Sequence, residues 1–114
     1  MSTVTPKSLF TPLQAAAAQT TLYTAPVSTR TIIDKVTGTN TTATAATLTA
    51  NLVASGGSAS VANQISAART IGPSETYTFP ELVGHVLNPG DFLSALAGTA
   101  AAITMRASGR EVTT

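Results

Sequence analysis

From about residue 21 onward, apolar and polar residues alternate with a period of two in short runs, the pattern of strands with one buried and one outward face. Residues 31–40 carry it most clearly. Ile32, Val36 and Gly38 alternate with Thr31, Thr37 and Thr39, and the order breaks only around Ile33 and Asp34. A second run puts Leu48, Ala50 and Leu52 on one face and Thr47, Thr49 and Asn51 on the other, and these two strands are expected to form a hairpin or to lie side by side. A shorter strand over residues 21–24 ends at Ala25-Pro26. Further strands are predicted over residues 76–79, with Tyr77 and Phe79 sharing a face, over 92–96, and over 102–109, where Ile103 and Met105 oppose Thr104, Arg106 and Ser108. Residues 60–68 fit either a short strand or a helical turn. The pattern nominates Ile32, Val36, Leu48, Leu52, Tyr77, Phe79, Phe92, Leu96, Ile103 and Met105 as core.

Turn signals divide these runs at Ser55-Gly56-Gly57-Ser58, Gly72-Pro73-Ser74 and Gly98-Thr99. The strongest is Leu87-Asn88-Pro89-Gly90-Asp91. Proline holds φ near about −65° at the second turn position, glycine accepts the positive φ of the third in a type II turn, and aspartate bonds nearby amides, so the chain must reverse here. Seven or eight short strands without a convincing amphipathic helix predict an all-β fold, a single β-sandwich of jelly-roll type, with an open barrel as the alternative. No internal repeat suggests a solenoid or propeller.

Residues 1–20 differ in texture. They mix Thr, Ser and Pro with the run Gln14-Ala15-Ala16-Ala17-Ala18-Gln19, which is too short to hold a helix in water unaided. They are expected to form an extended N-terminal arm, ordered by a partner or folded as one helical turn against the sheet, and residues 21–114 to form the β-sandwich domain. Lys7 and the apolar residues after it imitate a signal peptide, but Pro12 and Gln14 break the apolar centre, so export by this route is not expected.

Composition changes the picture in one respect. Of 114 residues, 43% are hydrophobic but only 4% aromatic, and much of the apolar content is alanine, so the core should be thin. Small domains with thin cores draw on disulfides, a metal or oligomerisation, and this chain has no Cys and one His. Self-association, or docking on a larger scaffold, is the remaining route.

Charge excludes several classes of function. Charged residues make up 10% of the chain and the formal net charge is +1, far from the basic excess of a protein that neutralises many phosphates, so nucleic acid is not an expected partner. No apolar run approaches the length of a spanning helix, and no membrane association is expected. His85, in Leu82-Val83-Gly84-His85-Val86-Leu87, cannot build a zinc site alone and reads as an ordinary hydrogen-bonded histidine. Asp34, Glu75, Glu81, Asp91 and Glu111 are scattered, without an acid/base spacing, and read as solvated carboxylates or as partners of Arg69 and Arg30. The serines lack a nucleophile elbow, and Ser55-Gly56-Gly57-Ser58 lacks the Gly-Lys-Ser/Thr of a phosphate loop. No catalytic, cofactor-binding or metal-binding residue is nominated, and no enzymatic activity or cofactor is expected. Arg106 and Arg110 share a face of the last strand and with Lys35 form either a small cationic patch, suited to an intersubunit salt bridge, or ordinary surface. The abundant Thr supplies β-propensity and uncharged hydroxyls, which lets a strand face be half-buried on another protein at small desolvation cost.

Two stretches carry a family resemblance. The first comprises Thr20-Thr21-Leu22-Tyr23-Thr24-Ala25-Pro26, Arg30-Thr31-Ile32-Ile33-Asp34-Lys35, Thr39-Asn40-Thr41-Thr42 and Leu52-Val53. The second comprises Pro73-Ser74-Glu75-Thr76-Tyr77, Leu82 to Leu87, Pro89-Gly90-Asp91 and Arg106-Ala107-Ser108-Gly109-Arg110-Glu111. Over most of residues 20–112 the chain resembles small structural proteins of tailed bacteriophages, and in size it is similar to capsid decoration or cement proteins. The resemblance implies a virion protein on the outer surface of the head, made in the host cytoplasm, that clamps neighbouring major capsid protein subunits as a homodimer or homotrimer. A tail, collar or fibre-attachment component, or a module binding host-surface glycan, are the alternatives that the same motifs admit.

Overall fold

The computed structural model describes residues 3–113; Met1 and Ser2 of the expected arm and Thr114 of the expected domain lie outside the described residues. Nine strands follow in order: β1 (Thr3–Gln14), β2 (Thr20–Thr24), β3 (Thr29–Asn40), β4 (Ala46–Val53), β5 (Gln64–Ile71), β6 (Thr76–Thr78), β7 (Val86–Leu87), β8 (Phe92–Ala97) and β9 (Ile103–Thr113). The first sheet runs β1-β9-β3-β6, with β7 also on β3, and the second runs β2-β8-β4-β5. Strands β6 and β7 pair with successive stretches of β3, at Thr37–Thr39 and at Thr31–Ile32, so they are two pieces of one strand position interrupted by the turn after Pro80. Counted so, the first strand pairs with the last and the second with the last but one. The third pairs with the interrupted strand and the fourth with the fifth. One long hairpin has been wound into two sheets, which is the jelly roll that the sequence predicts.

Each segment's chemistry suits its place. Pro6 and Pro12 fall in β1, an edge strand, where a missing N–H costs no ladder bond. Asp91 N–H donates to Asn88 O at 2.9 Å across Pro89-Gly90, and Gly90 has φ +88°, the type II turn predicted there. Both Asp91 carboxylate oxygens accept backbone N–H groups, from Ser55 at 2.9 Å and from Asn88 at 3.0 Å. The turn passes the chain from the first sheet to the second rather than closing a hairpin. Residues 60–68 contain both predicted possibilities, a short 3₁₀ turn over Val61–Asn63 capped by Ser60, and then β5.

The core is layered by size. Ile33, Val36, Phe79, Ile103 and Met105 on the first sheet face a second-sheet layer that includes Ala46, Ala50, Ala95 and Ala97, with Leu48 and Leu93 between them. Val36, Leu48, Phe79, Ile103 and Met105 are fully buried as predicted, and Leu52 and Tyr77 pack half-buried against the core.

Three expectations are corrected. Strands β3 and β4 are not paired but lie in opposite sheets, because the loop between them crosses the sandwich. Buried Asn40 ties that crossing down: its amide donates to Thr44 O (2.8 Å) and Ile71 O (2.9 Å) and its Oδ1 accepts from Thr42 N–H (2.9 Å). Ile33 rather than Ile32 enters the core, since a bulge between Ile33 and Lys35 shifts the phase of β3. Gly109 of β9 lies against this region, and a Cβ there would stand 2.3 Å from Ile32 O. In β8 it is Leu93, with Ala95 and Ala97, that faces inward, while Phe92 and Leu96 face out. Of the two forms open to residues 14–19, the helical turn is not the one adopted.

The expected arm is extended. Over Thr3–Gln14 it is β1, in register with β9 from Thr3↔Thr113 to Gln14↔Thr104. Irregularities near Ser8 and Phe10 help direct Leu9 into the core, and Ala15 is buried just beyond the strand.

Candidate assembly surfaces

The two outer faces of the sandwich differ in charge. On β9, the alternation that buries Ile103, Met105, Ala107 and Gly109 sends Arg106, Ser108, Arg110 and Val112 outward. Across from them on β3 stand Thr37, Lys35, Ile32 and Arg30. The β3 bulge leaves both Asp34 and Lys35 exposed. Arg110 holds Asp34 through two nitrogens, Nε at 3.1 Å from Oδ2 and Nη2 at 2.9 Å from Oδ1, and these bonds raise the guanidinium pKa above its ordinary value. Lys35, Thr37, Arg106, Ala107 and Ser108 line a shallow groove of about 270 Å³. The structure thus brings together the predicted cationic group, with Arg110 already engaged by Asp34. Four cations (Arg30, Lys35, Arg106, Arg110) less one carboxylate (Asp34) give this face a formal +3, against +1 for the whole chain.

The second sheet is the opposite case. Its strands β2, β8 and β4 contain no Asp, Glu, Lys, Arg or His. Their outward rows are Thr24, Phe92 and Val53; Thr21, Ser94 and Asn51; and Leu96 beside Thr49. Near the middle, polar groups are already satisfied within the chain. Gln19 Nε2 donates to Ser94 Oγ at 2.7 Å, Ser94 Oγ donates to Thr20 O at 3.0 Å, and Asn51 Nδ2 donates to Ser60 O at 3.0 Å and Asn63 Oδ1 at 2.8 Å. Ser94 and Asn51 are consequently buried although they point away from the core. Such a face can be covered by another protein without stranding a charge, and its central Ser94 and Asn51 already have partners.

Between the sheets, Glu111 of β9 meets Tyr23 of β2. The Tyr23 hydroxyl contacts Glu111 Oε2 at 2.5 Å and Thr31 Oγ1 at 2.7 Å, and Lys7 Nζ of β1 lies 3.4 Å from the same Glu111 oxygen. Burial and the neighbouring carboxylate push the Tyr23 pKa up to about 12. Sequence reasoning read Glu111 as a surface carboxylate; no local signal marks a residue whose partners lie 88 and 104 positions earlier. At the other side of the sandwich, Arg69 stacks 4.1 Å from the Tyr77 ring centroid, Tyr77 Oη donates to Glu81 at 3.1 Å, and Tyr77 meets Phe79 edge to face at 4.8 Å. Glu75 accepts from Gly72 N–H at 3.1 Å. Neither Glu75 nor Glu81 pairs with Arg69 or Arg30; the ion pairs among the described residues are Lys7–Glu111 and Arg110–Asp34.

Among the described residues, no three His, Asp or Glu side chains converge in a metal-holding group, and no helix is long and apolar enough to cross a membrane. His85 is exposed. Val27 and Val61, at 88% and 84% exposure, cap loops at the same end of the sandwich as Asn88–Asp91.

A single jelly-roll module with one charged and one neutral sheet face is therefore the class of protein at hand. A scan against family models gives no match, and neither does a search of curated proteins. Solved structures share the fold. A subunit of the Bacillus endospore appendages, described as disulfide-linked pili, is similar over 98% of this chain and 88% of its own, with TM-score 0.52 and 13% identity. A chain of infectious bursal disease virus, Gx strain, is similar over 98% of this chain with TM-score 0.54 and 15% identity. A mutant VP2 protein of that virus, from derived particles, is similar over 97% with TM-score 0.50 and 12% identity. This chain spans 32% and 31% of those viral chains. At such identities the likeness establishes the jelly roll; what it shares with the tailed-phage resemblance is that fold.

Proposed function

We propose that this chain is a structural subunit of a virus particle: a decoration or cement protein, itself a homodimer or homotrimer, that covers the seams between major capsid protein subunits and stabilises the shell without performing catalysis. The observation that carries this reading is the ion-free outer face of β2, β8 and β4, whose central polar groups are already bonded within the chain. Its desolvation cost is low, so contact with a neighbour there is favoured by the exposed parts of Phe92, Leu96 and the threonine methyls. The virus-capsid and appendage likenesses support an assembly role by fold analogy. The N-terminal arm belongs to this proposal as β1, an edge strand whose outer side is open to a neighbouring subunit.

The test is to introduce one charge on that face. Thr24→Lys and Leu96→Lys should leave the fold intact and abolish attachment to heads, whereas wild-type protein co-purifies with heads at a copy number near that of the capsid protein. Undiminished attachment of both variants would remove the neutral face as the contact. A second reading, a filament subunit, is favoured by the near full-length match to the appendage protein. Negative-stain images of the concentrated wild-type protein, showing filaments in the absence of capsid protein, would select it.

A further inference from the structure

We propose that the outer face of the first sheet is the docking surface for an acidic patch on a different protein, and that the groove between Lys35 and Arg106 receives one of its carboxylates. Arg30, Lys35 and Arg106 are exposed on this face, and neither ion pair among the described residues involves them. Lys35 and Arg106 flank one groove, with the Ser108 hydroxyl beside them and the Thr37 hydroxyl donating to Arg106 O at 3.5 Å, so two cations and one neutral donor line a space that fits a carboxylate.

The chain's own acids argue against a second copy as the occupant. Asp34 is held by Arg110, Glu111 by Lys7 and Tyr23, and Glu81 by Tyr77. Glu75 accepts from Gly72 N–H of its own turn, and Asp91 from Asn88 N–H of its turn and from Ser55 N–H of the neighbouring loop. Each of the five side-chain carboxylates already has a partner within its own chain, so a homotypic contact at the groove would have to share a carboxylate with that partner. Two copies meeting through this face would also set +3 against +3. Nucleic acid is disfavoured because three free cations release few counterions, and because the groove is a notch in a flat sheet rather than a channel along a backbone. What fits is a flat acidic protein surface, met with a charge match that steers encounter. The inference deepens the assembly reading and rests on it for the partner being another structural protein.

The experiment uses the full chain with two probes, a fluorescently labelled Glu/Asp-rich peptide and a short DNA duplex, followed by anisotropy at low and physiological salt. The peptide should bind at low salt and weaken as salt rises. Lys35→Gln with Arg106→Gln should weaken it by about five- to tenfold, the loss of two exposed charge contacts, while Arg69→Gln, off this face, should change it less than about twofold. Peptide binding that ignores the Lys35/Arg106 double change, or tighter binding of the duplex than of the peptide, would overturn the proposal. Light scattering on the same samples separates the two readings. An oligomer whose peptide binding ignores Lys35 and Arg106 removes only the groove; a protein that stays monomeric and leaves heads bare, yet binds the peptide through them, removes only the assembly role.

Discussion

Tyr23 and Glu111 join the two sheets through a 2.5 Å hydrogen bond from phenol to carboxylate, made where the first and last strands of the jelly roll come together. The bond draws in β1 through Lys7 and β3 through Thr31, so four strands from both sheets share one polar contact. A carboxylate in this position depends on its partners; with a donor removed it would be left short of a hydrogen bond.

Loss of the phenol should have a pH signature. The folded-state Tyr23 pKa is raised from 10.0 to about 12, so folding favours the protonated phenol. That contribution is fully present below pH 10 and is lost as pH rises from 10 towards 12. Tyr23→Phe should cost about 1–2 kcal/mol at neutral pH. Its stability should then fall less steeply than wild type between pH 10 and pH 12. Urea unfolding of both proteins across that window is the measurement; parallel pH profiles would show that Tyr23 does not titrate as described.

The phase of β8 can be read from two leucines. Leu93 is fully buried opposite Leu52 and Tyr23, whereas Leu96 faces outward beside Thr49. Leu93→Ala should destabilise by about 2–5 kcal/mol, the range for emptying a packed site. Leu96→Ala should cost under about 1 kcal/mol in the isolated chain, as expected for a partly exposed position. Denaturant midpoints of the two variants would decide the matter, and a reversal of the order would mean that the sheet is turned over.

Removal of residues 2–14 tests the place of β1. The deletion takes Leu9 out of the core, leaves Glu111 without Lys7, and exposes the whole edge of β9. An unpaired edge of that length invites pairing with another chain. The truncated protein should lose several kcal/mol of stability, the cost of an emptied core site and a broken partly buried ion pair together. It should also aggregate on warming. Thermal scans with light scattering check both effects; a truncated chain as stable and as dispersed as wild type would show that β1 is dispensable to the sandwich.

Much of the strand content was legible because period-two alternation and turn chemistry are local. The runs around Val36, Leu48, Phe79 and Met105, and the Pro89-Gly90 reversal, follow from neighbours a few positions apart. The errors fall where one extra residue is inserted or where two phases are equally apolar. Ile32 and Ile33 are chemically alike, so only the bulge against β9 decides which is inside. Phe92 and Leu96 are bulkier than Ala95 and Ala97, yet a layer filled by Ile103, Met105 and Phe79 leaves room for the small side chains.

The candidate surfaces were legible in part. Arg106 and Arg110 share a strand face by spacing alone, and Lys35 joins them because β3 pairs with β9. The neutral face was present in the sequence as uncharged runs in β2, β4 and β8, but nothing in the order of residues says that these three runs are neighbours. Residues 3–14 read as an arm because their prolines and polar residues suit no central strand, and they suit an edge strand for the same reason.

By itself, then, the sequence determined an all-β chain of short strands and firm turns, poor in charge, because those properties are carried by composition and by contacts between near neighbours. Only the tertiary structure decided that the first strand lies along the last, that Glu111 answers Tyr23, and that a net positive charge gathers on the outer face of one sheet while the outer face of β2, β8 and β4 is left neutral. Those outcomes depend on pairing residues far apart in the chain, where register, bulges and the fit of large against small side chains across the sandwich set the result.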